Sequence, residues 1–206
     1  MVKSKRIQLI AELTRGYDTV IDIGSDHGFV LQIAFEKGYI KRGIATDLRE
    51  KPLASAMKNL KNYPTTFVLS DGFLNVKESF DLAIIAGMGA NLICDILEHA
   101  PYGEQTYLLQ ANEKIEILRA FLVNNDFEII DEYIVHDHFY YLILKVKRGE
   151  MILSQEDLYL GPHLKKKSEA LPYYAKKAAQ IEKIMGKADE IRKEELIKML
   201  KIYKNV

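Results

Sequence analysis

Apolar residues are arranged along the chain in two successive rhythms. The first fills residues 19–110 with short runs of β-branched and aliphatic side chains: Thr19–Ile23, Gly43–Asp47, Thr66–Leu69, Leu82–Ala86 and Tyr107–Gln110. Runs that are apolar throughout, rather than alternating, belong to strands covered on both faces, as in a parallel sheet. Their ends fall near 23, 46, 69, 86 and 110, and steps of 17 to 24 residues leave room for a crossover helix with short loops. The intervening segments supply those helices at Phe29–Glu36, Lys51–Leu60 (Pro52 in its first turn), from Asn91 to about Glu98, and Glu113–Val123. Ahead of them, Met1 to Gly16 reads as a basic helix with Ile7, Ile10, Ala11 and Leu13 near one face and Gly16 as its stop.

After residue 123 the rhythm changes. Phe127–Val135 and Phe139–Lys147 are strand-like runs separated only by His136-Asp137-His138, too short for a crossover helix, so they must form an antiparallel hairpin. From Ser154 the sheet pattern stops, and Gly161-Pro162 opens a helical region. Leu171, Tyr174, Ala178, Ile181 and Met185 recur at steps of three and four. Gly186 breaks the run, Asp189 caps the next, and Leu196, Met199, Leu200 and Tyr203 form a second stripe. This pattern predicts a coiled-coil-like helical hairpin with lysines outside. The expected domains are residues 1–153 for a ligand-binding α/β unit and 154–206 for the helical appendage.

Composition adds three constraints. At 206 residues, 48% hydrophobic and 28% charged, the chain is of an ordinary globular kind. Its one cysteine, Cys94, excludes an intramolecular disulfide framework and suits a reducing compartment. No apolar run reaches the roughly 18 residues of a membrane span and the N-terminus lacks signal-peptide character, so a cytoplasmic location is expected. The formal net charge of zero hides an asymmetry: residues 1–150 hold 17 lysines and arginines against 21 aspartates and glutamates, whereas residues 151–206 hold 12 against 8. A cationic tail on an acidic body points toward a polyanionic partner, although solvated helix faces explain the charge nearly as well.

The candidate chemistry sits at the strand ends. Thr19-Val20-Ile21-Asp22-Ile23-Gly24-Ser25-Asp26-His27-Gly28 reads as buried strand, glycine turn and helix N-terminus, the outline of a nucleotide-type site. Acids end three successive strands. Asp47 is placed for ribose hydroxyls, Asp71 for an exocyclic adenine amine, and Asp22 for a positively charged aminoacyl chain. Together they favour an adenosyl ligand. NAD is disfavoured, because the turn lacks a middle glycine and Asp26 would repel a pyrophosphate. S-adenosylmethionine carries a sulfonium and no phosphate, so it tolerates that acid. Cys94 has no proline before it and reads as a structural thiol; His136 and His138 occupy a turn with no third ligand set, so no metal is expected. Tyr140-Tyr141 reads as hairpin packing in preference to a base-stacking platform.

Five parallel βα units closed by a hairpin resemble the Rossmann-like, seven-stranded α/β sheet of class I S-adenosylmethionine-dependent methyltransferases, whose last strand is antiparallel. Asp22-Ile23-Gly24-Ser25-Asp26-His27, Lys51-Pro52-Leu53-Ala54-Ser55-Ala56, Gly87-Met88-Gly89, Leu109-Gln110-Ala111-Asn112 and Leu160-Gly161-Pro162 occur in that order. They resemble the bacterial tRNA adenine-22 N1-methyltransferase family over nearly the whole chain. Departures are Gly28-Phe29 for Ala-Tyr, Ala90 for glycine, Ala111 for proline and Asp47 for glutamate. The resemblance implies methyl transfer from S-adenosylmethionine to N1 of a tRNA adenine.

The residues suit that chemistry. The Asn/Asp-Pro-Pro-aromatic turn of exocyclic-amine methyltransferases is absent, and a ring nitrogen needs alignment more than activation. A carboxylate beside the base would stabilise the cation that forms. Asp26 is the catalytic candidate, with His27 accepting or relaying a proton and Asn112 hydrogen-bonding the base; the bland reading has Asp26 capping the helix and His27 packing. The expected cofactor contacts are Asp22, Ile23, Gly24, Ser25, Asp26, Gly28, Asp47, Leu48, Asp71, Gly72, Ala86, Gly87 and Met88. The expected RNA contacts are Lys165, Lys166, Lys167, Lys176, Lys177 and Lys183 on the first hairpin helix, with Lys3, Lys5 and Arg6 at the N-terminus. A monomer is expected, with oligomers left open. Two other readings stay open: a methyltransferase of another RNA base, small molecule or protein, and a non-catalytic adenosyl- or RNA-binding protein.

Overall fold

A computed structural model describes residues 4–206. Seven strands, β1 Thr19–Ile23, β2 Arg42–Asp47, β3 Thr65–Leu69, β4 Leu82–Met88, β5 Thr106–Ala111, β6 Phe127–Asp137 and β7 Phe139–Arg148, form one sheet in the order β3-β2-β1-β4-β5-β7-β6. The first five are parallel, and β7 lies antiparallel to both β5 and β6. The hairpin turns through His138, whose φ of 61° is left-handed. Strand order reverses between β1 and β4, the switch point beside which such sheets bind ligands.

Helices α1 Lys5–Glu12, α2 Phe29–Glu36, α3 Glu50–Asn59, α4 Ala90–Glu98 and α5 Ile115–Asn124 cover the two faces. Side chains alternate across each strand and so feed two cores. Val20, Leu82, Ile84 and Leu108 pack with Ile10, Leu31, Ala34 and Ala56. Ile21, Ala83, Ile85, Tyr107 and Leu109 pack with Ile93, Leu97, Leu118 and Leu122. Burial on both faces is why these strands read as unbroken apolar runs. Helix α1 ends at Glu12, short of Gly16; the Met1–Lys3 part of the expected helix lies outside the described residues.

The C-terminal part begins earlier than Gly161-Pro162. A short helix, α6 Gln155–Leu160, starts in a capping box where Ser154 and Asp157 satisfy each other's backbone N–H groups. Two 3₁₀ turns, Leu164–Lys166 and Ser168–Ala170, lead into α7 Leu171–Met185, against which α8 Glu190–Lys204 packs. Asp189 caps α8, accepting from the Arg192 N–H at 2.8 Å. The buried stripe of α7 is Tyr173, Tyr174, Ala178 and Ile181, while Leu171, read as part of it, is exposed.

Residues beyond 154 share the sheet's core rather than hanging from it. Tyr173, Tyr174, Ile181, Leu196 and Tyr203 join the cluster that holds Leu118, Leu144 and Val146. A buried ion pair fastens the join. The Arg119 guanidinium lies 2.7 Å from Glu132 Oε1, and both side chains are sealed from solvent. Arg119 Nη1 donates to the carbonyls of Leu158 and Tyr159, and Glu132 Oε2 accepts the N–H groups of His163 and Leu164, each at 2.9 Å. Gly161 passes directly over this pair: a Cβ there would overlap the Glu132 carboxylate, and its φ of 90° suits glycine alone.

Candidate active site

The glycine turn after β1 builds the first cleft. Gly24, at φ 72°, turns the chain away from β1, and a Cβ there would strike the Met88 methyl group. The next N–H, of Ser25, donates to Thr46 O at 2.8 Å and ties the turn to β2. The Ser25 hydroxyl is buried with no hydrogen-bond partner among the described residues, facing the ligand space. Helix α2 starts at Gly28 with no side-chain cap hydrogen bond, so its N-terminal end points at the cleft without a capping side chain in the way. Asp26 is therefore not that helix's cap. It holds a left-handed φ of 48°, a conformation that costs a non-glycine residue energy, and presents a largely exposed carboxylate 3.7 Å from His27 Nε2. The His27 ring stacks on Phe29, centroids 5.3 Å apart.

Three carboxylates reach this cleft from successive strand ends. Asp22 is buried, and its carboxyl is pushed up to about 7 by that burial, then by the charges of Asp47 and Asp26. Asp47 is equally buried; its Oδ1 accepts the Arg49 N–H at 2.9 Å, leaving Oδ2 for a ligand. Asp71 is exposed on a loop held by Ser70, whose hydroxyl bonds Gly72 O and Asn75 N. With Ile23, Leu48, Gly72, Ala86, Gly87 and Met88 they enclose about 510 Å³. Gly28 does not line this space. It packs beneath the turn against Leu60 and Ala56, because the helix start rather than the ligand claims its missing side chain.

A second and larger cleft, of about 660 Å³, adjoins the first between the end of β5, the start of β7 and α7. Sequence reasoning did not foresee it, since its walls come from six separate stretches of chain. Asn112 belongs here and not with the strand-end acids. Tyr140 packs against His136 and Tyr173, as hairpin packing requires, yet it and Tyr141 also wall this space. Arg6 and Gly87 line both clefts. The register of β4 against β5 slips between Ala86 and Met88, bulging Gly87 out at a φ of 82°. A polar chain spans the partition: Arg6 Nη1 donates to Gln110 Oε1 at 2.9 Å, Gln110 Nε2 to Asn112 Oδ1 at 3.2 Å, and Asn112 Nδ2 to Gly87 O at 2.8 Å. A buried glutamine ending a strand, in the Leu109-Gln110-Ala111-Asn112 word, was the available signal.

The lysines divide. Lys165, Lys166 and Lys167 lie on and just after a 3₁₀ turn, not on α7. Lys165 pairs with Asp157 at 2.9 Å and with Glu156. Lys167 donates to Asp131 Oδ1 at 2.7 Å and sits over the Tyr133 ring. Lys166 and Lys183 are exposed and ion-paired to no described residue. Lys176 and Lys177 stand on the rim of the second cleft, over the rings of Tyr140 and Tyr173. Lys5 bonds Asp137 through its backbone N–H alone, and Lys3 lies outside the described residues. Cys94 is buried, its thiol pushed up to about 11 first by burial. Among the described residues no group of three or more histidine, cysteine or acidic side chains is arranged to hold a metal, and no helix is long and apolar enough to cross a membrane.

Comparison with known proteins gives this geometry a context. The sequence profile of the tRNA (adenine(22)-N(1))-methyltransferases matches residues 20–205. A provisionally named tRNA methyltransferase of Mycoplasma pneumoniae is 32% identical over 172 residues, covering 78% of this chain and 80% of its own. The tRNA (adenine(22)-N(1))-methyltransferase of Bacillus subtilis is 29% identical over 183 residues, 82% of this chain and 77% of its own. Among solved structures, a Streptococcus pneumoniae protein provisionally assigned as a tRNA (m1A22) methyltransferase superposes with a TM-score of 0.91 at 30% identity, covering 99% of both chains. Its complex with S-adenosyl-L-methionine superposes at 0.87, again at 30% identity and 99% coverage of both.

Proposed function

The chain belongs to the tRNA (adenine(22)-N(1))-methyltransferase family and methylates N1 of that adenine from S-adenosylmethionine; from this premise we propose how its residues divide the work. The carrying observation is that acids from three successive strands meet in one cleft, and that this cleft shares Arg6 and Gly87 with a second one large enough for a nucleotide. The first cleft fits the cofactor: a turn with no room for a Cβ at Gly24, a buried hydroxyl at Ser25 with no partner among the described residues, an α2 start without a capping side chain, and carboxylates suited to cationic and hydroxyl groups. Bound there, S-adenosylmethionine supplies an electrophilic methyl group on a sulfonium.

Asp22 faces the cationic aminoacyl end, Asp47 takes the ribose hydroxyls through Oδ2, and Asp71 takes the adenine amine. Burial, with Asp47 and Asp26 close by, holds Asp22 partly protonated even though Arg49 lies 3.7 Å from Asp47, and a cationic ligand relieves that crowding. N1 attacks with its in-plane lone pair, so no base is needed before transfer. The exposed Asp26 carboxylate, held out by its left-handed backbone, stabilises positive charge growing on the base. His27 adjusts that charge, and Asn112, fixed between Gln110 and Gly87, offers its remaining hydrogen-bonding capacity to the Watson–Crick edge. Residues 154–206 act as the tRNA-docking domain, with Lys166, Lys176, Lys177 and Lys183 as its phosphate contacts; a cytoplasmic setting follows from the substrate. Lys165 and Lys167 are held by carboxylates and serve the fold first.

The test is incubation with radiolabelled S-adenosylmethionine and unmodified tRNA, followed by nucleoside mapping. Label in 1-methyladenosine at position 22 is the expected result; label on another nucleoside, or none, overturns the assignment.

A further inference from the structure

The second cleft has a feature that phosphate docking does not explain. Arg6 is half-buried in its wall, with its guanidinium carbon 5.1 Å from the centroid of the Tyr141 ring. One edge is pinned by the bond to Gln110, itself buried and tied onward to Asn112. A guanidinium set over an aromatic ring and fixed along one edge is no longer a mobile charge but a planar group of restricted orientation. It also stands at the partition: the atoms closest to a Cβ built on Gly87 are those of the Arg6 guanidinium, at 3.4 Å for Nη1. Unpaired RNA bases stack on such planes as they do on aromatic rings. N1 lies on the Watson–Crick edge, so the target adenine must leave its pair before it can react.

We propose that Arg6, backed by Tyr141 and held by Gln110, is the stacking platform that receives the flipped adenine and turns its N1 toward the cofactor cleft at Gly87. The inference rests on the methyltransferase reading and deepens it. It gives Arg6 a role that its charge alone does not confer, and it gives the tyrosine behind it a reason to be at the start of β7. Lys176 and Lys177, across the same cleft, are then positioned for the flanking phosphates.

Charge and plane are separable in Arg6→Lys, which keeps the first and loses the second. The test uses tRNA unmodified at position 22, a matching tRNA with 2-aminopurine there, calorimetry with S-adenosylmethionine, and single-turnover methylation at saturating protein. Loss of one stacking contact corresponds to a rate reduction of about 10-fold to 100-fold. Arg6→Lys should show it with an unchanged cofactor affinity, melting temperature and salt slope of tRNA binding, and with altered 2-aminopurine fluorescence in the complex. Tyr141→Leu, which removes the backing ring, should follow the same pattern. Full single-turnover rate in Arg6→Lys overturns the proposal, because charge alone would then suffice. A matching fall in cofactor affinity overturns it by making Arg6 a contact of the cofactor and not of the base, and a matching fall in melting temperature overturns it by making Arg6 a structural strut. Wild-type protein that leaves the tRNA unmethylated defeats the function itself, a result distinct from all of these.

Discussion

Replacing Asp22 by asparagine should make the folded protein, without cofactor, progressively more stable relative to wild type as pH rises. Burial, followed by the charges of Asp47 and Asp26, lifts the Asp22 carboxyl from an ordinary 3.8 to about 7. A folded state that holds its proton more tightly than the unfolded chain does loses stability as pH climbs, and the loss is complete above the folded value. The window therefore opens near 3.8 and closes near 7, and below it the two proteins differ only by the isosteric change. At about 1.4 kcal/mol per pH unit, ionised Asp22 costs the empty fold roughly 4 kcal/mol at pH 8. Urea midpoints of both proteins at pH 4, 6 and 8 (chosen assay conditions), compared as differences so that other carboxylates cancel, should show a gap that widens with pH toward that figure. A gap that is constant, or that narrows, refutes the burial of Asp22 beside Asp47 and Asp26 as the cause of its raised value. The corollary for binding is that wild-type protein near pH 6.5 (again a chosen condition) releases a proton on taking up S-adenosylmethionine, visible as a dependence of calorimetric heat on buffer ionisation enthalpy.

Four further outcomes are expected. Asp47→Ala should weaken S-adenosylmethionine binding by roughly 1.5–3 kcal/mol, measured by calorimetry, since it removes the proposed charge-assisted contact with the ribose; wild-type affinity would reject that contact. Asp26→Asn should bind cofactor nearly as well as wild type yet lose much of its single-turnover rate, whereas parallel losses would make the residue structural. Arg119→Met should cost about 3–5 kcal/mol in urea denaturation by leaving Glu132 charged and unpaired in the core; a loss under 1 kcal/mol, on the order of a surface pair, would contradict its burial. Lys183→Ala should lower the slope of log affinity for tRNA against log salt by about one unit without affecting stability, while Lys167→Ala should do the reverse, because its ammonium group already serves Asp131.

The sheet could be read from the chain because its strands are buried on both sides, so that Val20-Ile21 and Ile84-Ile85 announce themselves without any need to guess which face is inward. The acids at positions 22, 47 and 71 were legible for the same reason: a charge ending an apolar run marks where the sheet meets solvent. Helix α6 was not, since six residues carry too little periodicity and only its capping box gives it away. The second cleft was hidden because Arg6, Gln110, Tyr141 and Lys176 come together only through tertiary packing. Charge counting was a partial guide to the lysines. It located the cationic tail, but nothing local tells that Lys167 will find Asp131, 36 residues earlier in the chain.

The buried pair of Arg119 and Glu132 also sets an order of events as the chain is made. Both residues emerge from the ribosome before the carbonyls of Leu158 and Tyr159 and the N–H groups of His163 and Leu164 that complete their coordination. Until those groups arrive, a nascent sheet of seven strands carries two charges that water must keep hydrated, on a face whose apolar cover of Tyr174, Leu196 and Tyr203 is not yet synthesised. The core therefore closes only after Tyr203 has joined that cover. The segment proposed to dock tRNA is also the one that finishes the fold, so a chain that stalls before residue 158 displays neither a sealed core nor a complete second cleft.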